Sequence, residues 1–401
     1  MQNAADAATI AAAINNGANY DVEARAVAAQ YGFVSGTNNT NVAVTNTAAC
    51  AGGGNTCYSV TISGYTPLLL SQIVGFQGDA NLNGSLEKKL SAVAVAKQNT
   101  VPQDLCLLAL ASSGATQGIR TNGAPTANMN GCDSMSNTGA QCNGSNLGLD
   151  ISFAVGSNSG CGARRMSNSA VADPYSYLAS NIPPLPPSVC GGSYPQETHH
   201  GNSSSVALGN QLTGTLPLSG NKFLCGDQML TGDVTVNAPA GAVLIIENGQ
   251  LDLNGYTFAT ANGSAVTLVF SGTNSGGYTH APTDNTNGSK SSLNITAPTS
   301  GPWSGVAIYQ DPSLTNGVSV SAAGNSPTWE ITGLIYMPHA TLTLKGAIDK
   351  STFGNKCVVM VADNFQISGT GGILKTDIGQ CQQAGLTMPT AIIPGGAVLV
   401  L

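Results

Sequence analysis

The chain has 401 residues, a formal charge of −7 and only 8% charged residues, while glycine alone accounts for 50 positions. That length exceeds one ordinary core, so two or three domains are expected. An acidic balance with no basic cluster excludes a nucleic-acid surface, and low charge with abundant Ser, Thr, Asn, Gly and Ala fits an extracellular bacterial surface or filament protein better than a cytosolic enzyme. Residues 1–34 read as an Ala-rich helical stem, with Asn15-Asn-Gly17 as a break that divides it into two helices. Ala faces suit close packing or an exposed stem, and Ala4, Asp6 and Ala8 are the candidate packing residues.

Residues 35–103 read as a small α/β module. Segments 42–45 and 58–62 alternate as strands, and Pro67 suits the first turn of a short helix. Residues 90–96 form a further strand whose small side chains match the N-terminal helix. Residues 104–190 form a cysteine-rich β neck, too poor in apolar residues to bury much surface and therefore dependent on cross-links. Pro183-Pro-Leu-Pro-Pro187 is a stiff connector, and 191–210 is a polar linker around His199-His200.

Residues 211–381 repeat short alternating strands separated by Gly/Asn turns, followed by a tail at 382–401. Many short strands with little helix signal predict an all-β body, and their recurrence predicts coils of a β-helix or β-solenoid, with a sandwich as the alternative. The fold class is therefore mainly β with an N-terminal Ala-rich helix, a cysteine-rich middle and a β-helix-like C-terminal domain.

Ten cysteines stand at Cys50, Cys57, Cys106, Cys132, Cys142, Cys161, Cys190, Cys225, Cys357 and Cys381. An even number without C-x-x-C argues for five disulfides in an oxidising compartment rather than zinc or redox chemistry. Proximity pairs Cys50 with Cys57 and Cys357 with Cys381; the six between them allow fifteen pairings. No transmembrane or signal segment is present. Because the cysteines require export, a segment before Met1 is expected, and membrane contact would run only through it.

Motifs for chemistry are few. Asp79-Ala-Asn-Leu-Asn-Gly84 copies the start of a calcium loop, but Leu90 occupies the position of the bidentate Glu, so it reads as a turn. His199-His200 reads as solvated, and His280 and His339 as surface residues. Acids of the C-terminal body, such as Asp227, Glu247, Asp252 and Asp311, show no spacing that would stack them on successive coils. Trp303, Trp329, Tyr309 and Tyr336 either stack on sugars or partners or fill the core. No catalytic residue, metal or cofactor is assigned.

Gln2-Asn-Ala-Ala-Asp-Ala-Ala-Thr-Ile-Ala-Ala-Ala13 resembles the stretch that follows the membrane helix in TadE/TadG-like proteins of the tight-adherence (Flp) pilus system. Leu70-Ser-Gln-Ile-Val-Gly-Phe76, Leu105-Cys-Leu-Leu-Ala-Leu110, Gly131-Cys-Asp-Ser134 and Asp173-Pro-Tyr-Ser-Tyr-Leu178 follow in the family's order. Ala297-Pro-Thr-Ser-Gly-Pro-Trp-Ser-Gly305 and Gly333-Leu-Ile-Tyr-Met-Pro-His-Ala340 resemble its paired C-terminal segments. The resemblance implies a non-enzymatic envelope protein of a pilus apparatus, anchored in the inner membrane with its bulk outside the cytoplasm. Its partners would be other pilus or envelope proteins, or a glycan or other cell-surface ligand. The metal-binding D-x-S-x-S motif of some members is missing, so metal-dependent adhesion is not carried over. Two alternatives remain: a self-assembling adhesin or filament subunit, and a carbohydrate-active β-helix enzyme using an acid such as Asp311.

Overall fold

The structure, a computed structural model, describes residues 1–400 apart from 16, 51–55, 69–72, 74, 77, 83, 113–116, 124–125, 130, 144–146, 201–202, 286–290, 323–327, 346–356, 370–371 and 376–377. The fold is mainly β, with two N-terminal helices and five disulfides. It divides into two units, Met1–Pro102 with Ile392–Leu401, and Gln103–Ala391. The predicted segments 1–34 and 35–103 fall essentially in the first unit. Those at 104–190, 191–210 and 211–381 fall in the second, and the tail divides at Ile392.

In the first unit, helix α1 spans Gln2–Asn15 and α2 spans Tyr20–Gln30. Alanine favours helix and no proline interrupts; the break falls at the predicted Asn/Gly site. After α2, Phe33 N–H donates to Ala28 O and Gly32 N–H to Ala29 O. This Schellman ending requires the left-handed conformation that Gly32 adopts at φ +86°.

Four strands complete the unit: β1 (Asn41–Ala48), β2 (Cys57–Pro67), β3 (Ala80–Leu82) and β4 (Ser85–Ala109), the last of which continues into the second unit. β2 lies antiparallel between β1 and β4, with Val44 opposite Val60 and Val60 opposite Ala94. Alternation sends Val60, Ile62, Ala92, Ala94 and Ala96 to one face, where they are buried against Ala4, Ala5, Ala8 and Ala12 of α1. The helix is therefore not an exposed stem. Alanine side chains allow close approach, and Thr9 Oγ–H, which donates to Ala5 O at 2.7 Å, also reaches Ala94 O at 3.4 Å.

One expectation fails here. Pro67 does not open a helix but ends β2, where a missing N–H is tolerated; residues 69–72 lie outside the described residues. The calcium-like stretch is a hairpin, with Leu82 opposite Ser85. Asp79 is engaged by Lys88 Nζ at 2.9 Å and by the Lys89 N–H at 3.1 Å.

The second unit is built mainly of parallel strands in long rows. In one row Gly220–Cys225 pairs with Ala242–Glu247, then Val266–Ser271, Val306–Gln310, the middle of Thr328–Lys345, and Val358–Gly369. The row continues through the end of β4, Asp133–Ser136, Leu149–Ala154 and Gly162–Ser167. A second row runs through Gln211–Pro217, Gln228–Asn237, Thr257–Thr260, Ser292–Thr296 and the start of Thr328–Lys345. A third links Val318–Ala322, the end of Thr328–Lys345, Val358–Gly369, Ile119–Gly123, Ala140–Cys142 and Asn158–Ser159.

Val358–Gly369 therefore lies between strands that precede it at 334–345 and strands from the beginning of the unit at 107–123. The predicted neck carries cross-links, Cys106–Cys132 and Cys142–Cys161, but it also contributes to the core. Leu107, Ala109, Ile119, Met129 and Leu149 share one buried cluster with Leu244, Phe270, Trp329 and Phe365. Its apolar residues suffice because each strand rests on a neighbour and needs to bury only one further side.

The outer side of the first row is buried as well. Ile245, Val269, Tyr309, Tyr336, Val361, Leu108, Met135 and Phe153 succeed one another in register, and each is fully buried. Strands covered on both faces read as continuous apolar runs rather than alternating ones, as in Val243-Leu-Ile-Ile246. Part of the cover is the segment around Asp173 and Tyr175, described below.

Candidate functional site

Three side-chain constellations stand out in the second unit, and the first is a buried carboxylate cluster. Asp227 lies just before Gln228–Asn237, and Asp252 ends the short strand Leu251–Asp252 in the next rung. Glu197 precedes a small hairpin of Thr198–His200 and Ser203–Ser205. The Glu197 N–H donates to Asp227 Oδ2 at 2.7 Å and the Gln250 N–H to Asp227 Oδ1 at 3.1 Å. Gln250 Nε2 donates to Glu197 Oε2 at 2.8 Å, and Asp252 Oδ1 accepts the N–H groups of Asn254 and Asn285.

Burial and the hydrogen-bonded Asp252 carboxyl beside it hold Glu197 well above the usual carboxylate range. Burial also raises Asp227, although two backbone N–H groups oppose the shift. A second carboxyl group close by disfavours the ionised form, so Glu197 keeps its proton to a higher pH than a free carboxyl does. The cluster fastens Glu197 and the hairpin strands that follow it to the strands around Asp227 and Asp252, and the Cys190–Cys225 disulfide closes the same region.

Residues 191–210 are thus no free linker. His199 Nδ1 is bonded to Ser204 Oγ at 2.9 Å. The acids expected to be scattered do meet. Asp227 and Asp252 are 25 positions apart, close to one rung of the parallel rows: Val234 pairs with Phe258, 24 positions on. Insertions hide that period elsewhere, since Leu293 pairs with Trp329. None of the three carboxylates lines either of the two described cavities.

The second constellation is a tyrosine clasp. Tyr309 and Tyr336 stack with centroids 4.6 Å apart, and Trp303 meets Tyr309 edge-on at 5.0 Å. Tyr336 O–H donates to Asp173 Oδ2 at 2.7 Å, Tyr309 O–H to Tyr175 O at 3.1 Å, and Tyr175 O–H to Thr387 O at 2.6 Å. Burial pushes all three phenols far above their ordinary value, so they remain neutral donors. The aromatic residues considered for sugar stacking are buried: Trp303, Tyr309, Trp329 and Tyr336 belong to the interior.

The third is around His280, which is only 5% exposed rather than on the surface. Burial lowers its pKa to about 4, so the ring is neutral, edge-on to Tyr278. His339 is half-buried, with Nε2 at 3.1 Å from Pro312 O. Asp311 accepts from Ser271 Oγ and the Ser313 N–H; burial, and after it the Asp311 charge, raises Glu247.

Of the candidate packing residues, Ala4 and Ala8 are buried, whereas Asp6 is half-buried and accepts from Gln2 Nε2 at 2.7 Å. The ten cysteines join as Cys50–Cys57, Cys106–Cys132, Cys142–Cys161, Cys190–Cys225 and Cys357–Cys381. Five disulfides suggest an oxidising compartment outside the cytoplasm. Among the described residues no helix is long and apolar enough to cross a membrane, and no His/Cys/Asp/Glu group is arranged to hold a metal. Comparison with family models, curated proteins and solved structures finds no match.

Proposed function

We propose that residues 103–391 form a β-solenoid and that the protein is a non-enzymatic structural component of a bacterial cell envelope or surface, of the kind used in a tight-adherence pilus apparatus. The observation that carries this reading is the unbroken succession of parallel pairings from Gly220–Cys225 to Gly162–Ser167, reinforced by four disulfides in the same unit. Such a body offers extended surfaces to neighbours without needing a moving part. The buried acids support it too: Asp227 and Asp252 accept backbone N–H groups and Glu197 accepts from Gln250, so they tie chain segments together. The partners of this scaffold are other envelope or pilus proteins.

The self-assembling filament is the weaker reading on a specific observation. The strands at the two ends of the first row carry exposed cations, Arg164 and Arg165 on one and Lys222 on the other. Charged edges resist strand addition, and like charges oppose end-to-end stacking. Immunogold electron microscopy of intact cells and sheared surface filaments, with an antibody to the 211–381 region, tests the proposal. Label in the envelope or on filaments is expected; label confined to the cytoplasm would overturn it.

A further inference from the structure

We infer that the second row carries a binding groove for a glycan strand without acidic groups. A cavity of about 860 Å³ opens where the outward side of this row meets the turns at 239–241, 261–265 and 298–300. Alternation buries Phe258, Leu293, Ile295, Trp329 and Ile331 and turns Ala259, Asn294 and Glu330 outward. Asn294 and Glu330 stand in register on neighbouring strands, as do Thr296 and Thr332, so polar groups recur along the groove at the strand spacing of about 4.8 Å.

The lining chemistry selects the ligand class. Hydroxyl and amide groups from Thr, Ser and Asn alternate with small Ala, Gly and Pro residues, one carboxylate stands at Glu330, and none of the lining residues is basic or aromatic. Without a cation the groove cannot neutralise phosphate, sulfate or uronate. Its small apolar residues offer no large aliphatic or aromatic side chain to a lipid or a largely apolar ligand, whose sites are lined mainly by such residues. A polyol, by contrast, supplies donors and acceptors in series. Several groups are held in place before any ligand arrives: the Thr296 N–H donates to Thr260 Oγ at 3.3 Å, and Ser292 Oγ–H donates to Asn294 Oδ1 at 2.8 Å. Such pre-orientation lowers the cost of binding. Glu330 adds an acceptor for paired sugar hydroxyls or for the ammonium of an amino sugar.

The inference goes beyond the scaffold reading and does not need it, because binding is read on the purified chain and cellular position by labelling. The test is calorimetric titration of the intact, oxidised protein with cellopentaose, chitopentaose, fully deacetylated chitopentaose and pentagalacturonate. At least one of the first three is expected to bind and pentagalacturonate is not. Preference for the deacetylated form, lost in Glu330→Gln, would mark an amino sugar. Equal binding of the acetylated form would mark a neutral one. Asn294→Ala is expected to weaken binding about tenfold, the effect of one well-placed hydrogen bond. Ala259→Trp, which fills the floor, should abolish it. Should Asn294→Ala shift the melting temperature, Thr299→Ala in the bounding turn takes its place. No binding by the three probes, preferential binding of pentagalacturonate, or binding untouched by both groove variants would overturn the inference.

Discussion

At the scale of single residues, the second unit uses its buried polar groups as fasteners. Tyr336 and Tyr309 donate hydrogen bonds to Asp173 and to the Tyr175 carbonyl, so a loop far away in sequence is held on the buried row of side chains. Burial and the neighbouring Asp252 hold the proton on Glu197, and this gives the protein a pH dependence of definite sign. The folded state keeps a proton on Glu197 that the unfolded chain releases in the ordinary carboxylate range. Folding is therefore most favoured below that range, and stability falls as pH rises through the elevated folded value. Asp133, raised to about 6 by burial, acts in the same direction up to that pH. Glu197→Gln keeps a donor and abolishes the titration. Its melting temperature should fall less between pH 5 and pH 8 than that of the wild type, by on the order of 2 °C. Superimposable pH profiles would show that Glu197 is not held protonated.

At the scale of elements, the disulfides fix segments that lack the regular pairing of the long strands. Cys190–Cys225 ties the short helix Pro187–Cys190 to Gly220–Cys225. Replacing both cysteines with serine should cost about 2–4 kcal/mol, seen as a lower denaturation midpoint in urea and as proteolysis in the 186–205 region. An unchanged midpoint and protease pattern would mean the Glu197 cluster holds that region alone. Much at this scale was legible in the sequence. The helix break at Asn15–Gly17 and the 42–45 and 58–62 strands follow from alanine content, glycine and alternation. The clasp was not legible, because Tyr309 and Tyr336 sit on strands buried on both faces, where alternation carries no information about exposure. The carboxylate cluster was hidden by insertions that stretch the rung from 24 positions at Val234–Phe258 to 36 at Leu293–Trp329. His280 was misplaced because burial of a lone neutral imidazole leaves no pattern in sequence.

At the scale of the whole molecule, the second unit has an order in space that differs from its order in sequence. Its first strands, from residue 105 onward, stack outward from Val358–Gly369 on one side; the strands from 211 to 345 return to it on the other. Local composition cannot reveal this closure, since it depends on Leu107 and Met360 meeting across some 250 positions of chain. It also explains why a segment rich in Gly, Asn and Ser folds: the neighbouring strand supplies the apolar partner. The continuity of this stack is the central structural claim. Hydrogen exchange read by mass spectrometry on the intact, oxidised chain and on Met360→Ala tests it most directly. Met360 is fully buried between Ile335 and Leu107, so the truncation should cost roughly 2–5 kcal/mol. If the stack is continuous, protection falls on both sides, in peptides covering 105–109 and 133–136 as well as 334–337. Loss confined to 334–337, with 105–136 exchanging as in the wild type, would contradict it.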